Sequence, residues 1–315
     1  MKRILRACFL AVALGLLAWA LVATWDEVLA ALKQLTWAAV LVAFFSCVVA
    51  LGLNAMSWRA VMHAVGLRAH VSEAFRVFFL SQVGKYVPGS IWPVVAQAEF
   101  ARDHGVSRAR AMTGSIVAMI VGVVTSGIIG AVGLVLSVPG AVGQYWWALV
   151  VAVLLACLLF PAVLDRLVSM AFRLTRRPDA PVRIGARPLL ASAAWSAAMW
   201  LVLGVQAWVL LREMAPGTTF VLAAGAFAFA WLVGFLVVIA PAGVGAREAA
   251  LILALSTVAD PGEALSFALI SRFVMTLADA AGFGVGVAIG GSRLRRDADR
   301  MRRSGAAGHA GGSEE

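Results

Sequence analysis

Three cations sit inside long apolar runs, where a charge is costly to keep. Lys85 lies in Ser81-Gln82-Val83-Gly84-Lys85-Tyr86-Val87-Pro88-Gly89-Ser90-Ile91-Trp92-Pro93. Arg247 lies in Ala240-Pro241-Ala242-Gly243-Val244-Gly245-Ala246-Arg247-Glu248, and Arg272 inside the last apolar run. A charge retained in such a setting is a functional candidate by default. Arginine offers a planar fork that pairs with phosphate oxygens at two points, and lysine offers a point charge. The backbone amides of Gly89–Ile91 and Gly243–Ala246, at the starts of short helices, would add partial positive charge. The chemistry this points to is the capture of an anionic head group. Glu248 would orient Arg247, bind a co-transported cation or carry a proton. The alternative is that Arg247 and Glu248 neutralise neighbours and only hold their segment together. Gln82, Gln97 and Trp92 are candidate lining residues. Asp279 stands seven residues past Arg272 and can share a helix face with it, as a buried ion pair. Glu99 and Arg102 read as a surface pair.

Pro88, Pro93 and Pro241 are the structural breaks. Proline removes an amide donor and glycine loosens the backbone, so neither stretch continues as an unbroken helix. Free amides and carbonyls are not tolerated in hydrocarbon, so broken backbone at membrane depth is buried in protein or lines a wet cavity. Paired Gly/Pro-interrupted segments in corresponding places point to a transporter's binding site.

The surrounding composition agrees. The chain has 315 residues, 62% hydrophobic and 13% charged, where a soluble domain would be about a quarter charged. Apolar runs of roughly 20 residues are long enough to cross a bilayer as helix. The expected fold is an all-α polytopic membrane protein with about six transmembrane helices and two re-entrant helical hairpins. The net charge of +10 is assigned to orientation by basic loops rather than to nucleic-acid binding.

The spans are expected at 7–24, 37–58, 112–138, 145–164, 188–211 and 264–289, and the hairpins at 77–100 and 218–258. The first span reads as an uncleaved helix. The segment 165–187 reads as a cytoplasmic linker and the basic tail 292–315 as disordered. Of the 26 Lys and Arg residues, only Lys33 and Arg212 fall in segments assigned outside. Apart from Lys85, Arg247 and Arg272, the rest fall in segments assigned to the cytoplasm, as do both termini. That bias favours re-entrant hairpins, because full crossings would put Arg102, Arg108 and Arg110 outside.

The order is span, span, hairpin, span, and then the same again from the opposite side. The domains are therefore a first membrane repeat, 1–138, and a second, 139–291, in inverted topology. Small residues recur four apart in the last helix of each: Gly114, Ala118, Gly122, Ser126 and Gly130, and Ala278, Gly282, Gly286 and Gly290. Such spacing lets backbones approach closely in lipid.

No enzyme motif is found. There is no defensible Ser/His/Asp arrangement, no phosphate-binding Gly-x-x-x-x-Gly-Lys, no metal-type His-x-x-x-His and no paired aspartates of a membrane transferase. The four histidines are scattered, and Cys8, Cys47 and Cys157 all lie in apolar runs. Neither a cofactor nor a metal is expected.

Gly84-Lys85-Tyr86-Val87-Pro88-Gly89, with Pro241-Ala242-Gly243-Val244-Gly245-Ala246-Arg247-Glu248-Ala249 far downstream, resembles the transmembrane region of lysylphosphatidylglycerol synthases. Stand-alone flippase-like proteins belong to the same family. The Pro-x-Gly-x-Gly-x-Arg-Glu element is its most specific signature, and the arginine of its following helix corresponds to Arg272. The resemblance runs from about Leu5 to Gly290. It implies a lipid-translocating module that moves aminoacylated phospholipid between leaflets. The family's soluble aminoacyl transferase portion is not expected here, so lysylphosphatidylglycerol synthesis is not expected either. Met119 stands in the first repeat where Arg272 stands in the second, so an asymmetric pocket is expected.

The functional expectation is a flippase or scramblase of the cytoplasmic membrane rather than an enzyme. Its cargo would be an anionic or aminoacylated phospholipid, or a polyprenyl-phosphate-linked lipid. Partners would be membrane lipids and a separately encoded lipid-modifying enzyme or glycosyltransferase. The alternatives are a membrane-embedded lipid-carrier transferase and a non-transporting scaffold for a cell-envelope enzyme.

Overall fold

Apolar runs without internal proline become long helices here, because only a helix satisfies its own backbone in lipid. The computed structural model describes residues 35–86, 92–137, 146–174, 183–237 and 245–310, with Trp25, Leu29, Leu32, Lys33 and Gly143. For residues 168, 171–174 and 291–310 only the course of the main chain is described. The helices are α1 Trp37–Ala64, α2 Val71–Gln82, α3 Trp92–Arg102, α4 Arg108–Ser137, α5 Trp146–Cys157, α6 Pro161–Leu174, α7 Ala186–Met214, α8 Phe220–Leu236, α9 Ala246–Leu255 and α10 Pro261–Ala310. A short 3-10 turn, Val83–Tyr86, follows α2.

Among the described residues four helices are long and apolar enough to cross a membrane: α1, α4, α7 and the Pro261–Gly290 part of α10. The bent pair α5–α6 makes a fifth if it is one span. The expected first span lies outside the described residues, so the described part carries four or five of the six.

Polar residues place the helix ends. Thr36 caps α1 with its hydroxyl, which accepts from the Ala39 amide at 3.3 Å. Thr219 does the same for α8 through the Leu222 amide. At α10, Asp260 and Glu263 exchange side-chain-to-backbone bonds of 2.9 Å each way, closing a capping box around Pro261.

The helices of the two halves interlock. α1 packs along α7, α2 against α10, and α8 against α4. Thr36 meets Glu213 (Oγ1 to Oε1, 2.6 Å) and Ser57 meets Ser192 (Oγ to Oγ, 2.9 Å). Positions rising along α1 thus meet positions falling along α7, so the two helices are antiparallel. The small-residue stripes serve the close approaches. A Cβ on Gly282 would meet Leu51, one on Gly286 would meet Leu80, and one on Gly290 would meet Arg76. The tightest approach onto backbone, among the described residues, is between α4 and α8, where a Cβ on Gly133 would stand 2.7 Å from the Cα of Gly225. Gly133→Ala is therefore expected to destabilise the protein by about 1–3 kcal/mol through overpacking, read as a lower melting temperature in detergent. An unchanged melting temperature would mean that the α4–α8 contact is not tight in solution.

The arms flanking the two breaks are short. α2 has 12 residues and α3 has 11, about 18 and 16 Å of helix against a hydrocarbon core of about 30 Å. α8 has 17 and α9 only 10. The chain between the arms, 87–91 and 238–244, lies outside the described residues.

Three boundaries differ from expectation. The fourth span is not one straight helix. It turns by 78° between α5 and α6, because Pro161 has no amide to donate and disfavours helix in the residue before it. The segment read as a linker then begins as helix, with Asp165, Arg166 and Arg173 interleaved among Leu164, Leu167 and Met170. The tail read as disordered instead continues α10 to Ala310. Arg293–Asp297 and Asp299–Arg303 stand four apart there, a spacing that supports helix.

Candidate binding chamber

The two broken segments bring their charges to one place. A cavity of about 330 Å³ is walled by α1, α2, α3 and α4 on one side and by α7, α8, α9 and α10 on the other. Lys85, Arg247 and Arg272 all line it, as do Gln82, Gln97 and Pro93. Tyr86, Asn54, Trp58, Trp200 and Asp279 are also among its polar and aromatic lining.

Lys85 enters from the 3-10 turn. Its ammonium lies 2.6 Å from Oδ2 of Asp279, which is 5% exposed. The Tyr86 hydroxyl donates to the same oxygen at 2.6 Å. First-half groups thus hold a second-half carboxylate. Arg272, on the same helix as Asp279, pairs instead with Oε1 of Glu248 at 3.0 Å. The other oxygen of Glu248 accepts from the Gly245 amide at 2.6 Å. Glu248 thereby closes the first turn of α9 and steadies Arg272. Gly245 itself has φ +86°, a conformation that favours glycine.

Arg247 is placed differently. Its guanidinium lies over the Phe227 ring, 4.8 Å from the centroid, and one nitrogen is 3.8 Å from the sulfur of Met275. Among the described residues no carboxylate forms an ion pair with it. The cation–π contact holds the plane in position without using the fork's capacity for an anion. Lys85 and Arg272 are thus matched by Asp279 and Glu248, and Arg247 is the surplus charge.

The other sequence candidates divide. Trp92 begins α3 at 37% exposure and does not line the cavity. Gly245 and Glu248 are not in the lining, but they are bonded to each other, and Glu248 to the lining residue Arg272. Pro88, Gly89, Pro241 and Gly243 lie outside the described residues. Glu99 and Arg102 form the expected surface pair, at 3.3 Å. Asp279 is in the wall, but its partner is Lys85 and not Arg272. The reason is geometric: the packing of α2 on α10 carries Lys85 to Asp279, whereas Arg272, two turns away, faces α9. Tyr86, Asn54 and Trp58 were not singled out by type or spacing. Tyr86, next to Lys85, had the only local signal.

Supporting bonds set the wall. Trp58 Nε1 donates to Ser115 Oγ at 3.0 Å, and Trp200 Nε1 donates to the Gly122 carbonyl at 3.2 Å. Glu248→Gln keeps the shape but removes the charge from both of its contacts. It is expected to lower stability by about 1.5–3 kcal/mol, the range for bonds to charged groups, seen as a lower melting temperature. No change would mean that the Arg272 pair adds nothing net.

Residues 8–281 match the protein family described as the lysylphosphatidylglycerol synthase TM region. No curated protein matches the chain.

Proposed function

We propose a function from one premise: the chain belongs to the lysylphosphatidylglycerol synthase TM-region family. It is a lipid flippase or scramblase that carries a phosphate-bearing head group through the chamber while the acyl or prenyl tails stay in the bilayer. The observation that carries this is the surplus cation in a cavity walled by broken segments from both halves of the chain.

The halves, 1–138 and 139–291, form an inverted repeat. Several wall residues support it, because they pair at the interval that separates Pro88 from Pro241: Cys47 with Trp200, Ala50 with Leu203, Phe78 with Trp231, Gln82 with Phe235, Val94 with Arg247, Met119 with Arg272 and Gly122 with Met275. The same interval takes Arg108–Ser137 onto Pro261–Gly290. The antiparallel meeting of α1 and α7 is what an inverted repeat requires of its equivalent helices. The flanking arms are re-entrant hairpins entering from opposite faces. Rocking of one half against the other opens the chamber to each leaflet in turn. The protein sits in the cytoplasmic membrane with both termini inside, and a separately encoded lipid-modifying enzyme or glycosyltransferase supplies its cargo.

Gly122 offers a clean test. It lines the cavity, and a Cβ added there meets nothing within 4 Å. Gly122→Leu should therefore fill the chamber without straining the fold, and leucine is the better helix former by roughly 0.5–1 kcal/mol. Proteoliposomes with this variant should lose translocation of a fluorescent anionic lipid, scored by chemical quenching of the outer leaflet, while the melting temperature holds. Wild-type rates in the plugged variant would sink the proposal.

A further inference from the structure

We infer that the chamber selects a lipid phosphodiester with one net negative charge and an uncharged hydroxylated head group, and that it rejects amine-bearing head groups. The inference rests on the translocation reading and names its cargo.

The described wall has one carboxylate to offer an ammonium, and a cation already holds it. Among the described lining residues Asp279 is the sole acid, and one of its oxygens already receives both Lys85 and Tyr86. Glu248 is not in the lining and has one oxygen on Arg272 and the other on the Gly245 amide. An aminoacyl or ethanolamine head group would have to displace Lys85 from Asp279 and would then face three cations. A single phosphate meets the opposite situation, since Arg247 has no carboxylate partner among the described residues and lies over the Phe227 ring. One unmatched cation fits one negative charge.

The neutral part of the wall suits a polyol. Asn54, Gln82 and Gln97 line the cavity, and their amides make no hydrogen bond to another described residue. An amide can donate to or accept from a hydroxyl without bringing charge. A cavity of about 330 Å³ is at the small end of ligand sites, enough for a head group but not for its tails. A glycerol phosphodiester of a phospholipid and a hexose phosphodiester of a polyprenol share this chemistry.

The test is native mass spectrometry of the full chain in detergent. Equal amounts of phosphatidylglycerol, a polyprenyl-phosphate hexose, phosphatidylethanolamine and lysylphosphatidylglycerol are offered together. Retention of one or both of the first two at about tenfold over the amine-bearing lipids is expected, the equivalent of one good charge-assisted contact. Which of the two is kept identifies the source. Arg247→Gln should abolish the preference, and Arg247→Lys should keep it in weakened form. Arg247→Glu should shift retention toward lysylphosphatidylglycerol. Each variant is checked for wild-type elution in size exclusion. Equal retention of lysylphosphatidylglycerol by the wild type, or an unchanged preference in a folded Arg247→Gln, overturns the inference. Displacement of bound lipid by inorganic phosphate at matched concentration would also overturn it, since a soluble anion would then be the ligand. Selective binding without translocation would count against the transport reading alone. Translocation of every lipid alike would count against the selectivity alone.

Discussion

Arg247→Gln is expected to slow lipid translocation by about 10- to 100-fold, because it removes a charge-assisted contact worth roughly 1.5–3 kcal/mol. Nothing else in the described wall can take over. Lys85 is committed to Asp279 at 2.6 Å and Arg272 to Glu248 at 3.0 Å. Stability should change little or improve slightly, since a partly buried cation without a carboxylate is itself costly to hold. That separation is the diagnostic feature: a structural residue loses stability and activity together, whereas Arg247 should lose activity alone. Translocation is read in proteoliposomes and stability by thermal unfolding of the same preparation. A folded Arg247→Gln that translocates at the wild-type rate would falsify the assignment.

The second large effect concerns the pair that joins the halves. Lys85→Met leaves Asp279 with the Tyr86 hydroxyl as its hydrogen-bond donor among the described residues, in a place where the carboxylate is 5% exposed. Breaking such a pair from one side costs about 3–5 kcal/mol. The reverse change should be milder. Lys85 is 35% exposed, so in Asp279→Asn the ammonium can turn toward water, and solvent screening leaves roughly 0–1 kcal/mol at stake. The double variant Lys85→Met with Asp279→Leu should return close to wild-type stability, because well-packed apolar residues often replace a buried pair at no loss. A double-mutant cycle on melting temperatures measures the coupling. If the single changes simply add, Lys85 and Asp279 are not partners in the folded protein. The double variant should still fail to translocate, since the latch between the first broken segment and α10 would be permanently apolar.

Much of this molecule was legible beforehand. The long spans follow from apolar length alone, because lipid leaves a backbone little choice but helix. α4 was expected at 112–138 and runs Arg108–Ser137; α7 was expected at 188–211 and runs Ala186–Met214. The two breaks were equally visible, since proline and glycine act locally. Three cations in apolar runs could be named as candidate site residues for the same reason: their cost does not depend on knowing the fold. The bend at Pro161 was also in the sequence but was outweighed by the continuous hydropathy on either side. The helical tail was hidden by its small and polar composition, although its charges stand at helical spacing.

What the chain could not disclose by itself was the pairing. From spacing, Asp279 belonged with Arg272 and Glu248 with Arg247. Packing of α2 on α10 instead takes Lys85 to Asp279, and packing of α9 on α10 takes Glu248 to Arg272. The charge left over is therefore Arg247. Composition and breaks decide which residues must be dealt with inside a membrane, since desolvation is a property of each residue alone. Which charge is cancelled and which is left without a carboxylate is a matter of angstroms between elements far apart in sequence, and only the tertiary arrangement sets those distances.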